Sequence, residues 1–144
     1  MRWDDYSLVR EALLASKAHG EGEHTHTPRL VVVAFADRWS KPAMATMGAI
    51  ETIRMGRDVE GFAQLFVIEA TTERDRCWDL GVVSTPALVF FWDSQQLTVR
   101  RPDYDDDQKL VGAYSQETLL EVIRHARECC VNPRDGELVL SLDF

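Results

Sequence analysis

The spacing of apolar positions changes period along this chain, and each change marks an element. Trp3, Tyr6, Val9 and Leu13 recur at three- and four-residue steps, which predicts an amphipathic helix ending near Ala18. From His19 to Pro28 there is no period, glycines intervene and a proline closes the stretch, so residues 19–29 read as a flexible loop. Leu30 to Phe35 is an unbroken apolar run rich in valine, the pattern of a strand buried on both faces. A helix over 41–57 follows, with Met44, Met47, Ile50 and Ile53 facing inward, and Phe62 to Ile68 forms a second core strand ending at Glu69. Thr72 to Leu80 reads as a short helix carrying Cys77 and Trp78. Ala87 to Trp92 and Leu97 to Arg100 then read as an antiparallel hairpin over residues 93–96. Ser115 is a good N-cap, with Glu117 in the first turn, for a last helix whose apolar face is Leu119, Leu120, Ile123 and Ala126. This alternation predicts an α/β domain spanning 1–144, a central mixed sheet with helices on both faces. Residues 131–144 form a C-terminal extension: a turn over 132–136, then Glu137 to Leu142 alternating like a strand, or else a frayed terminus.

Composition narrows the function classes. The chain has 144 residues, 45% hydrophobic and 28% charged, enough for one buried core. Its net charge of −8 disfavours tight contact with phosphate backbones, so little direct nucleic-acid binding is expected. No stretch approaches the ~20 apolar residues of a membrane span, and the start, Met1-Arg2-Trp3-Asp4-Asp5, does not read as a targeting signal. The three cysteines, Cys77, Cys129 and Cys130, read as reduced thiols of a cytosolic or nuclear protein.

Candidate chemistry is sparse. His19, His24 and His26, with Glu21 and Glu23 between them, match no ordered metal site. Asp103, Asp105 and Asp107 imitate the start of a calcium loop, but the required glycine is Gln108 and the required glutamate is Tyr114. No metal and no cofactor is expected. Ser40, beside Lys41, has no nearby histidine to activate it and reads as a helix N-cap. Trp39 and Met44 would form an apolar patch beside it.

Two segments together resemble thioredoxins. Phe35-Ala36-Asp37-Arg38-Trp39-Ser40-Lys41-Pro42-Ala43-Met44 has the strand, the tryptophan and the helix start of that fold. In redox-active thioredoxins the tryptophan precedes Cys-x-Pro-Cys; here the cysteine positions are Ser40 and Ala43, and only Trp39 and Pro42 keep the frame. A hydroxyl cannot form a mixed disulfide and a methyl cannot resolve one, so dithiol exchange at this site is excluded. The buried acid those enzymes place before the phenylalanine is Ala34. Val83-Ser84-Thr85-Pro86-Ala87 is similar to the segment where the fold places a cis-proline, which implies that Pro86 is cis. The degenerate site is thus Trp39, Ser40, Pro42, Ala43 and Pro86, with no catalytic residue.

One branch of inactive thioredoxin folds resembles almost the whole chain, the Dim family of the spliceosomal U5 particle. Gly61-Phe62-Ala63-Gln64-Leu65-Phe66-Val67-Ile68-Glu69 is similar to that family's second strand, and Lys109-Leu110-Val111-Gly112-Ala113-Tyr114 to its Lys-Phe-Val-Gly-Ser-Phe stretch. Gly136-Glu137-Leu138-Val139-Leu140-Ser141 looks like the family's C-terminal extension. The sequence departs at Ala43, where members usually keep a cysteine, at Ala34, and in a longer 19–28 loop. The resemblance implies a nuclear, non-catalytic protein, monomeric within a complex, that acts in pre-mRNA splicing through contacts with proteins of the U5 snRNP and tri-snRNP. Trp39, Met44, Leu138, Leu140 and Leu142 are then the candidate partner-binding residues. The alternatives are a redox or chaperone-like homologue working through Cys77 or the Cys129–Cys130 pair, and a phosducin-like binding module.

Overall fold

The computed structural model describes residues 3–17, 28–133 and 136–144. The histidine loop expected over 19–29 lies outside the described residues except for its last two positions, as do Arg134 and Asp135 of the extension. The helices are α1 (Tyr6–Lys17), α2 (Lys41–Met55), α3 (Arg74–Asp79) and α4 (Gln116–Val131). The strands are β1 (Leu30–Ala36), β2 (Ala63–Glu69), β3 (Ala87–Trp92), β4 (Gln95–Gln96), β5 (Thr98–Arg100), β6 (Leu110–Val111) and β7 (Val139–Ser141). Among the described residues, no helix is long and apolar enough to cross a membrane.

The main sheet runs β2-β1-β3-β4, with β6 also paired to β3. β1 pairs parallel with β2 and antiparallel with β3, so the sheet is mixed, as the alternation predicts. Because side chains alternate along a strand, each central strand feeds two cores. Leu30, Val32 and Ala34 of β1, with Leu88 and Phe90 of β3, pack under α2 and α4. Val31, Val33 and Phe35, with Val89 and Phe91, pack under α1 and α3. Helices therefore cover both faces, and the valine run is buried throughout.

Several expectations need correction. Trp3 is not on α1; it precedes the helix in a segment tied to β2, where the Asp4 N–H donates to the Val67 carbonyl at 2.7 Å. Met44 is half-buried, and Ala43 takes the fully buried position one residue earlier. On α4, Val122 is buried and Leu120 only partly so. The helix expected over 72–80 is divided into a 3-10 turn, Ala70–Thr72, and α3.

The largest difference lies after β3. Asp93 and Ser94 both have positive φ, 51° and 71°, making a two-residue turn of the primed type that hairpins favour. Gln95 and Gln96 pair back onto β3, but the strand stops there. Thr98–Arg100 leaves the main sheet and pairs in parallel with β7, as a separate two-stranded sheet. The extension is thus ordered against the domain: Leu140 is fully buried between β5 and α4, Leu142 is buried, and Leu138 is partly so. Phe144 packs 5.6 Å from the Tyr114 ring and accepts a hydrogen bond from Arg101 Nε at its carbonyl.

Candidate functional site

The degenerate site forms where β1 runs into α2. Ser40 caps α2, its hydroxyl accepting from the Ala43 N–H at 3.3 Å, and Pro42 sits in the first turn, where it leaves no helical acceptor unmet. Ala43 faces the core, Trp39 faces solvent with 78% of its surface exposed, and Pro42 is exposed. Opposite lies the segment before β3, where the Thr85–Pro86 bond is cis and Pro86 is buried, its carbonyl accepting from the Gly112 N–H.

Asp37, which the sequence reading passed over, ties the two sides together. Its Oδ1 accepts from the Trp39 and Ser40 N–H groups at 3.0 and 2.8 Å, and its Oδ2 accepts from the Thr85 hydroxyl at 2.8 Å. The Thr85 hydroxyl, followed by the Ser40 and Trp39 amides, holds this carboxyl below its ordinary range by stabilising the charged form. The clamp therefore holds above the ordinary carboxylate pKa and loosens only as pH falls through the lowered value. Arg38 braces the same turn, pairing through two nitrogens with Glu69 at 2.9 Å and lying 5.6 Å over the Trp3 ring. Val83, two residues before Thr85, is exposed like Trp39.

The structure thus brings Trp39, Ser40, Pro42, Ala43 and Pro86 into one place and leaves Met44 half-buried on the helix beside them. It does not bring the tail leucines there as an open surface. Leu140 and Leu142 are covered by this chain's own α4 and β5, so they are not available to a partner.

No thiol stands at the site. Cys77 is buried under α1, and burial followed by the charge of Glu73 pushes its thiol up. Cys130 faces the core, and burial, then Cys129 and Asp93, push it up to about 12. Cys129 is half-buried, with its Sγ 3.6 Å from His125 Nε2. Of the three thiols, Cys129 is expected to react first with iodoacetamide in the folded protein, and mass spectrometry of partly alkylated samples checks this. Simultaneous labelling of Cys130 would contradict the packing of α4. Among the described residues no cluster of three or more His, Cys, Asp or Glu side chains could hold a metal ion; the histidines of the 19–28 loop lie outside them.

Among solved structures, the germline-specific thioredoxin Deadhead from Drosophila melanogaster is similar over 86% of this chain and 96% of its own, at 14% identity and a TM-score of 0.61. A mutant thioredoxin from Halobacterium salinarum matches over 67% of this chain and 74% of its own, at 20% identity and a TM-score of 0.52. Human ERp44 matches over 88% of this chain but 32% of its own, at 13% identity and a TM-score of 0.61. No family model matches the sequence, and no curated protein does. At such identities the likeness carries the architecture alone: this chain has a thioredoxin-like fold.

Proposed function

We propose that this chain is a non-catalytic thioredoxin-fold docking module. The observation that carries the reading is a site kept in shape without its thiols. Asp37 still joins the α2 start to the Thr85–Pro86 segment and Trp39 is still presented to solvent, yet Ser40 and Ala43 stand where exchange chemistry needs cysteines. A surface that keeps its geometry after losing its chemistry is suited to holding a partner. The residue-level resemblance to the Dim family supports a nuclear role in pre-mRNA splicing, through proteins of the U5 snRNP and tri-snRNP. The acidic net charge of −8 favours protein contacts over direct RNA contact.

The redox alternative has little to stand on at Cys77 and Cys130, and the more accessible Cys129 has only the buried Cys130 beside it in sequence to resolve a mixed disulfide. Cys77 and Cys130 are buried with raised pKa values, and nucleophilic exchange needs an accessible thiolate. Two measurements test the proposal together. Reduction of insulin with dithiothreitol is expected to run no faster with this protein than without it. Affinity purification of the tagged protein is expected to recover U5 components, and replacing Trp39 by alanine is expected to weaken that recovery. Catalysed insulin reduction would overturn the non-catalytic reading, and recovery without U5 components would overturn the splicing assignment.

A further inference from the structure

The pairing of β7 leaves one of its edges open. In the parallel ladder with β5, the Leu138 carbonyl accepts from the Thr98 N–H and the Leu142 N–H donates to the Arg100 carbonyl. Backbone groups alternate between the two edges of a strand, so those of Val139 and Ser141 point away from β5. The Ser141 carbonyl is taken by His125 Nε2 at 2.6 Å. The Val139 N–H and carbonyl and the Ser141 N–H have no partner among the described residues. They border a groove of about 1000 Å³ whose other wall is the α4 stripe from Thr118 through His125 to Asn132.

The groove is acidic. Glu121 and Glu128 line it from the helix, and Glu137 and Asp143 line it from the extension. The arginines at its rim are neutralised from outside, Arg100 by Asp106 at 2.9 Å and Arg124 by Asp58 at 3.5 Å. A strand edge facing a helix across a cleft is an arrangement that admits an extended peptide as an added strand, with backbone hydrogen bonds giving affinity and the wall giving selectivity.

We propose that the β7–α4 groove binds an extended, basic segment of a protein partner, which adds as a strand to the open edge of β7. Three bonds, to Val139 N–H, Val139 carbonyl and Ser141 N–H, hold the segment once the His125 ring swings off the Ser141 carbonyl to admit it, and its lysines or arginines face the groove carboxylates. The surface is separate from the Trp39 turn, so it stands or falls independently of the docking role proposed for that turn.

The test uses the whole chain and a fluorescent six-residue peptide of alternating lysine and valine. Its comparators are a glutamate–valine counterpart and a lysine–valine peptide N-methylated on the bonding edge. The expected result is binding of the basic peptide with amide shifts at Val139 and Ser141 in two-dimensional NMR. N-methylation, or S141P, which removes the outward donor at an edge where proline is tolerated, should each weaken binding by about tenfold or more. E121K with E128K should reverse the preference between the two charged peptides, and W39A should leave binding unchanged. The N-methylated peptide tests the bonds without altering the protein, so a poorly folded S141P variant does not shelter the proposal. No amide shifts at millimolar basic peptide, equal binding of the acidic peptide, or indifference to N-methylation would each overturn it. Concentration-dependent dimerisation through the same amides would assign the edge to a second copy instead, and also overturn it.

Discussion

Truncation before Gly136 is expected to lower folding stability by about 3–6 kcal/mol, since Leu140 and Leu142 are buried and each such side chain contributes about 1.5–3 kcal/mol. A domain of this size has only about 5–15 kcal/mol in total, so the shortened chain should sit at the margin of folding. The loss has two sources beyond the leucines themselves. β5 has left the main sheet and depends on β7 for its parallel ladder. Val122, Ala126 and Cys130 of α4 belong to the same buried cluster as Leu140, so part of their surroundings goes with it. Urea denaturation of the full and shortened chains measures the difference, and L140A alone should cost about 2–5 kcal/mol by leaving a cavity. An unchanged urea midpoint after truncation would mean that the extension is not part of the core.

D4A is expected to cost about 3 kcal/mol, the low end for breaking a buried ion pair. The Asp4 side chain is 2% exposed and bonds Arg54 Nη1 at 2.6 Å, while its Oδ2 also accepts from the Val67 N–H at 2.8 Å. Removing it strands a largely buried guanidinium and an amide at the outer edge of β2. Glu51 still pairs with Arg54, which keeps the cost from the top of the range. R54M should cost a similar amount: it keeps the packing of the stem, but it takes the cation away from the Asp4 carboxylate, which is the more deeply buried of the two charges. Chemical denaturation of D4A, R54M and the double variant separates these contributions. A D4A cost below about 1 kcal/mol would show that the segment before α1 is held by Trp3 packing instead.

The central elements were legible because their signals are local. The valine run could only be a strand buried on both sides, and Ser40 and Ser115 cap α2 and α4 as their residue types predict. What sequence hid was pairing between distant positions. The alternation at 97–100 says which side chains face inward, yet nothing in it says that Arg100 lies beside Ser141 rather than along β3. Trp3 satisfies a helical period while lying ahead of the helix, in a segment tied down by Asp4 against Val67, 63 residues away. At the degenerate site the turn was visible, but its clamp was not. An Asp a few residues before a helix is a recognisable turn former, whereas the Thr85 hydroxyl that completes it is 48 residues distant.

The departure of β5 from the main sheet also decides which shortened translation products are hazardous. The main sheet and α4 are specified by residues up to 131, whereas the cover of α4 comes from residues 139–141. A chain cut between those two points therefore carries the helix with nothing to close over its outer apolar positions. Exposed surface of that kind is where nascent chains recruit chaperones or stick to one another. A premature stop within residues 132–138 would release a chain with a nearly finished sheet and an open seam, a different hazard from a stop earlier in the message, which leaves no fold to mistake for complete.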